Sequence, residues 1–188
     1  LNHWHEAWAA GEGLREALCT LGNGFFATRG AAPECSADGT HYPGTYLAGG
    51  YNRLTSDVSG RAVENEDLVN LPNWLPLTFR IEDGEWFNVS AVELLDYGQM
   101  LDMRNATLLR LLRFRDAEGR ETALTQRRFV SMATPQLAGL QTTISAVNWS
   151  GRLTIRSALD GRVTNGGVER YRELAGRHLT RVETTAVD

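Results

Sequence analysis

The sequence predicts an all-β fold: a large antiparallel β-sandwich with a few short helices. Three observations carry that expectation. Leu75, Leu77, Phe79 and Ile81 alternate with Pro76, Thr78 and Arg80, the two-residue period of a half-buried strand. Three pairs of strand-like runs flank turns rich in Gly, Asn or Asp, the local signature of hairpins. Helical periodicity is scarce across the 188 residues.

Taken in order, Glu12 to Leu21 reads as one or two helical turns stopped at Gly22. Gly22-Asn23-Gly24 is a strong turn, because Asn and Gly tolerate positive φ, and Phe25 to Thr28 leaves it as a strand. Leu75 to Glu82 is a strand, with Asp83-Gly84 turning it back into Glu85-Trp86-Phe87 as a first hairpin. Thr107 to Arg115 and Arg120 to Met132 flank Asp116-Ala117-Glu118-Gly119 as a second. Ala106 to Phe114 also fits a helical face through Leu108, Leu109, Leu111 and Leu112, but turn signals bound it and the strand is preferred. Gln136 to Val147 and Arg152 to Leu159 flank Asn148-Trp149-Ser150-Gly151 as a third hairpin. Val168 to Ala175 is expected to hold a short helix, and His178 to Thr185 a final strand. Neither a fixed-period repeat nor a low-complexity linker divides the chain.

Composition narrows the function. The net charge of −4 gives no basic footprint for nucleic acid. All 19 basic residues are arginine, so no lysine is present to form a Schiff base. Two cysteines, Cys19 and Cys35, are too few for a disulfide framework; Cys19 is expected in the core and Cys35 in an exposed loop. No run approaches ~18 apolar residues, so no membrane helix is expected. Leu1 to Ala10 lacks the basic and apolar regions of a signal peptide, and a cytoplasmic location is expected.

The acidic clusters Glu64/Glu66/Asp67 and Glu82/Asp83/Glu85 read as a loop-ordering set and a solvated turn, so no catalytic residue is assigned. His3-x-His5 would share a strand face, but no third ligand accompanies the pair, and no metal or cofactor is expected. His41 and His178 fall in no recognisable pattern. Asn73, Trp74, Tyr51 and Asn52 are the candidate sugar contacts. Aromatic faces stack on sugar rings, and an Asn amide both donates to and accepts from hydroxyls. Arg29 and Glu34 are expected to pair and fix the first loop.

Gly22-Asn23-Gly24-Phe25-Phe26-Ala27-Thr28-Arg29-Gly30, then Glu34, then Gly44-Thr45-Tyr46-Leu47-Ala48-Gly49-Gly50-Tyr51 resembles the opening of glycoside hydrolase family 65. Asp67-Leu68-Val69-Asn70-Leu71-Pro72-Asn73-Trp74, Gln126-Arg127-Arg128-Phe129 and Asp160-Gly161-Arg162-Val163-Thr164-Asn165 continue the likeness in the family's order. The resemblance implies a galactose-mutarotase-like sandwich over residues 1–188, incomplete at its C-terminal end. It also implies an (α/α)6 barrel outside this chain that carries the catalytic glutamate and the phosphate loop. The expected activity of the whole enzyme is inverting cleavage of an α-glucosidic disaccharide by phosphate or water, in a homodimer. Here the domain would support the barrel and shape the active-site wall. A stand-alone carbohydrate-binding module or a purely structural domain is the alternative.

Overall fold

A computed structural model describes residues 11–166, 173–180 and 182. The described chain is mostly antiparallel β, with one short helix, α1 (Glu12–Leu18). Two short strands, β1 (Leu21–Gly22) and β2 (Phe26–Thr28), enclose the Asn23-Gly24 turn. Gly24 sits at φ 85°, and Asn23 Oδ1 accepts the backbone N–H groups of Phe25 and Phe26. The same side chain donates to the carbonyls of Ser131 and Pro135, tying this turn to a distant one. With β3 (Thr45–Leu47) these strands form a small sheet ordered β1-β2-β3.

The next two strands, β4 (Tyr51–Val58) and β5 (Arg61–Leu68), form a two-stranded ribbon. Ser59 and Gly60 both have positive φ, 53° and 78°, as a two-residue turn matched to strand twist requires. Sequence reading missed this ribbon and took Glu64, Glu66 and Asp67 for a loop. Both ribbon faces are largely solvated, so no apolar alternation marks it.

Two layers build the core. The first is a sheet ordered β10-β9-β8-β7, from β7 (Glu93–Asp102), β8 (Thr107–Arg115), β9 (Glu121–Val130) and β10 (Ala138–Ala146). The second pairs β6 (Leu77–Ile81) with β11 (Leu153–Ser157). Between them lie Phe79, Ile81, Phe87, Val89, Leu112, Phe114 and Leu124. The rings of Phe79, Phe87 and Phe114 meet at centroid distances of 4.7 to 6.3 Å. Each such side chain contributes roughly 1.5–3 kcal/mol by leaving water.

The strand reading of Ala106 to Phe114 and the hairpin around Asp116 to Gly119 hold. The other two hairpins do not. After Asp83-Gly84 the chain doubles back, with Phe87 N–H donating to Phe79 O, but no second strand forms. The partner of β6 is β11. The turn at Asn148 to Gly151 is a crossover between layers, because Asn148 bonds the β8–β9 turn through Glu121 N and Gly119 O. The strand β7 was also missed: a bulge between Leu94 and Asp96 breaks its alternation. The helix expected over Val168 to Ala175 lies partly outside the described residues, whose 173–174 form a turn. His178 to Thr180 joins no ladder, and the rest of that expected strand, Val182 apart, lies outside the described residues, as do His3 and His5.

Candidate functional site

The helix α1 is inverted. Leu14 and Leu18 are 67% and 68% exposed, whereas Glu12 and Glu16 are buried. The surface beneath explains this. On the inner face of the four-stranded sheet, Arg110, Gln126 and Arg128, all buried, lie between two apolar patches, Leu112, Phe114 and Leu124 on one side and Leu108 and Val130 on the other. A buried ion there needs a carboxylate or several polar acceptors, because an unpaired one costs several kcal/mol.

Glu34 grips Arg110 through both oxygens, Nη2 to Oε1 at 2.5 Å and Nη1 to Oε2 at 2.9 Å. Nη1 also donates to Gln126 Oε1, and the guanidinium lies 5.6 Å from the Tyr97 ring centre. Burial works against this charge, but Glu34 outweighs it and holds the Arg110 pKa above its ordinary value. Arg128 has no carboxylate partner among the described residues; it donates to the carbonyls of Arg29 and Ala31. Burial pushes it down to about 10. The expected Arg29–Glu34 pair is therefore replaced: Glu34 takes Arg110, and Arg29 donates to Tyr42 O while lying over the Tyr42 ring.

Glu16 Oε1 meets His41 Nδ1 at 2.8 Å, and Oε2 accepts Tyr42 N–H. That bond raises the His41 pKa against the opposing effect of burial. Glu12 Oε2 accepts from Arg15, while burial raises its pKa. Ligand atoms of Glu12, Glu16 and His41 lie within 4.8 Å of one another, a spacing that suits a metal. Both Glu16 oxygens are nevertheless committed to protein donors, so the arrangement works as a charge-balanced latch. It fastens α1 and the 28–42 loop to the sheet. Cys35, expected exposed, is only partly so, and burial pushes its thiol well up. Sequence reading missed Glu12, Glu16 and His41. The available signal was the i, i+4 spacing of the two glutamates.

The four candidate sugar contacts fall in two pairs. Asn73 is buried and exchanges backbone hydrogen bonds with Asp160, while its Oδ1 accepts Leu75 N–H at the entry to β6. It borders a small cleft with Ser36, Asp160 and Arg162. Trp74 is half-buried, tilted against Phe26 at 6.4 Å, and its Nε1 has no partner among the described residues. Tyr51, 61% exposed, and Asn52 open the ribbon strand β4. Asn52 Nδ2 lies 3.2 Å from His178 Nδ1, and His178 Nε2 reaches Asp67 at 3.1 Å. No hydrogen bond or ring contact among the described residues joins the two pairs.

Fold and site together define a layered antiparallel β domain whose buried carboxylates are engaged in structure. The chain belongs to glycosyl hydrolase family 65 and matches its N-terminal domain over residues 4–188. An uncharacterized glycosyl hydrolase of Mycobacterium tuberculosis is 59% identical over 172 residues, covering 92% of this chain and 13% of that protein. The kojibiose phosphorylase of Halothermothrix orenii is 32% identical, covering 84% and 19%. The trehalose 6-phosphate phosphorylase of Lactococcus lactis is 36% identical, covering 84% and 20%. A solved structure assigned as a kojibiose phosphorylase, from the human microbiome, shares the fold with a TM-score of 0.73 at 19% identity, over 82% of this chain and 21% of that one. The chain thus spans no more than about a fifth of these relatives.

Proposed function

We propose that the chain is the N-terminal domain of an inverting enzyme that cleaves an α-glucosidic disaccharide, with phosphate or water as the nucleophile. The family match over residues 4–188 carries this reading, and relatives named as phosphorylases support it. Inverting cleavage needs a carboxylic acid positioned at the leaving oxygen. Among the described buried carboxylates, Glu12, Glu16 and Glu34 are all engaged by Arg or His; the family resemblance implies that the acid lies in a barrel elsewhere in the polypeptide. In this reading residues 1–188 support that barrel, form part of the active-site wall, and contribute to a homodimer in the cytoplasm. The test is to assay the full-length enzyme and this chain alone on kojibiose, trehalose and maltose, with and without phosphate. The full-length enzyme is expected to turn over one of them, and the chain none. Turnover by the chain, abolished by one substitution within it, would overturn the assignment.

A second reading is a stand-alone carbohydrate-binding module, favoured by the exposed ring of Tyr51. Saturable binding of a disaccharide by the chain, lost in Tyr51→Ala, would support it.

A further inference from the structure

The four-stranded sheet has two open edges among the described residues, β7 and β10, and they are built differently. An open edge invites pairing with another chain, and charge, proline or a bulge normally blunts it. Strand β7 carries Glu93, Asp96 and Asp102 together with its bulge. Strand β10 carries none of these. Its nine residues, Ala-Gly-Leu-Gln-Thr-Thr-Ile-Ser-Ala, are uncharged and pair with β9 without a register shift.

The ladder assigns the backbone groups that β10 leaves open. Ser131 N–H donates to Leu137 O and Val147 N–H to Glu121 O, so the odd-numbered residues between Leu137 and Val147 turn toward β9. The N–H and C=O groups of Ala138, Leu140, Thr142, Ile144 and Ala146 therefore point away from the sheet, and no described residue bonds them. Their side chains lie on the inner face, opposite Val130, Arg128, Gln126, Leu124 and Thr122. Among them the Thr142 hydroxyl oxygen is buried without a hydrogen-bond partner.

We propose that β10 pairs antiparallel with β10 of a second copy of this chain, about a two-fold axis at Thr142, so that the two four-stranded sheets run on as one. The strand reads alike in both directions about that point. The axis sets Ala138 opposite Ala146, Gly139 opposite Ser145, Leu140 opposite Ile144 and Gln141 opposite Thr143, so small faces small, aliphatic faces aliphatic and polar faces polar. Thr142 faces its own copy in a hydrogen-bonded pair. Cross-strand threonines there join hydroxyl to hydroxyl, which supplies the partner the buried oxygen lacks. The edge is complementary to itself in charge as well, since no charged side chain stands on it. The outward groups of the two strands exchange about ten backbone hydrogen bonds, as many as a standard protein–protein interface carries. This inference goes beyond the function proposed above and rests on none of its chemistry.

The test is analytical ultracentrifugation of the chain at about 1–300 µM, with hydrogen exchange read at single residues. A reversible dimer is expected. Exchange at Leu140, Thr142 and Ile144 should slow at least about tenfold from the lowest to the highest concentration, while Gln141 and Thr143, already bonded to β9, change little. Gln141→Glu/Thr143→Glu sets carboxylates opposite one another on both sides of the axis, at two exposed positions, and should weaken the dimer at least about tenfold. Thr142→Pro removes only an outward N–H, which an edge strand tolerates, and should weaken it as well. A monomer throughout the range, or association that both variants leave unchanged, would overturn the proposal. So would a full-length enzyme whose β10 amides are protected in the monomer, which assigns the edge to a strand of the same polypeptide. A full-length dimer that survives both variants keeps the homodimer and refutes this surface.

Discussion

Replacing Glu34 by Gln keeps the shape of the side chain and removes its charge. Arg110 then remains buried, its side chain only 5% exposed, with its charge unanswered and one of its two Glu34 contacts facing an amide N–H. Removing one partner of a buried ion pair costs about 3–5 kcal/mol. At roughly 2–4 °C per kcal/mol for a chain of this length, the melting temperature should fall by about 6–20 °C. Differential scanning calorimetry or a urea titration followed by circular dichroism measures this. The double variant Glu34→Leu/Arg110→Met removes both charges and should recover much of the loss, because the cost lies in the stranded ion and not in the missing bond. A loss below about 1 kcal/mol in Glu34→Gln, or a double variant worse than the sum of Glu34→Leu and Arg110→Met measured singly, would refute the view that this pair fastens the loop to the sheet.

Stability should also depend on pH through His41. Its folded pKa lies above the ordinary value, so its contribution is full below about 6.5 and is lost as pH rises through the folded value. Glu12, raised by burial, acts in the same sense from about 4.5 upward. His41→Gln should flatten the dependence of the urea midpoint above pH 6.5; an unchanged slope there would rule His41 out. Gly30→Ala would set a Cβ 2.6 Å from Cys19 Cβ, and a loss of about 1–3 kcal/mol in the same titration is expected. The isolated chain should self-associate, because Ile155 and Leu159 are 57% and 76% exposed beside the unpaired edge of β11. Light scattering across a concentration series checks this, and a strict monomer would count against it.

Local signals in the sequence carried much of the fold. Leu75 to Ile81 showed its period because one face of β6 meets the core, and Asp116 to Gly119 showed its turn because the two strands it joins are partners. Tyr51 to Leu68 was hidden because water covers both faces of that ribbon. Partnership over distance was hidden too. The β6–β11 pairing sets Leu153 opposite Ile81 at the core, which no neighbouring residue announces. The charged latch was least legible. Glu12 and Glu16 look solvated and Leu14 and Leu18 look buried until the arginines of β8 and β9 are known to lie beneath. The bond from Leu75 N–H to Asn73 Oδ1 at the entry to β6 was equally silent in the sequence.

The late pairing of β6 with β11 has a consequence for how the chain is made. Strand β6 leaves the ribosome about 70 residues before its partner, while β7 to β10 can each pair with the strand just synthesised. The four-stranded sheet is therefore expected to assemble first as a meander, its apolar inner face waiting without a lid. Closing that gap costs only the slow logarithmic entropy of a long loop, so the delay is one of time more than of free energy. During it, Phe114, Leu112 and Leu124 are open to chaperones and to other nascent chains. Pairing of Leu153 to Ser157 with β6 then covers those three side chains.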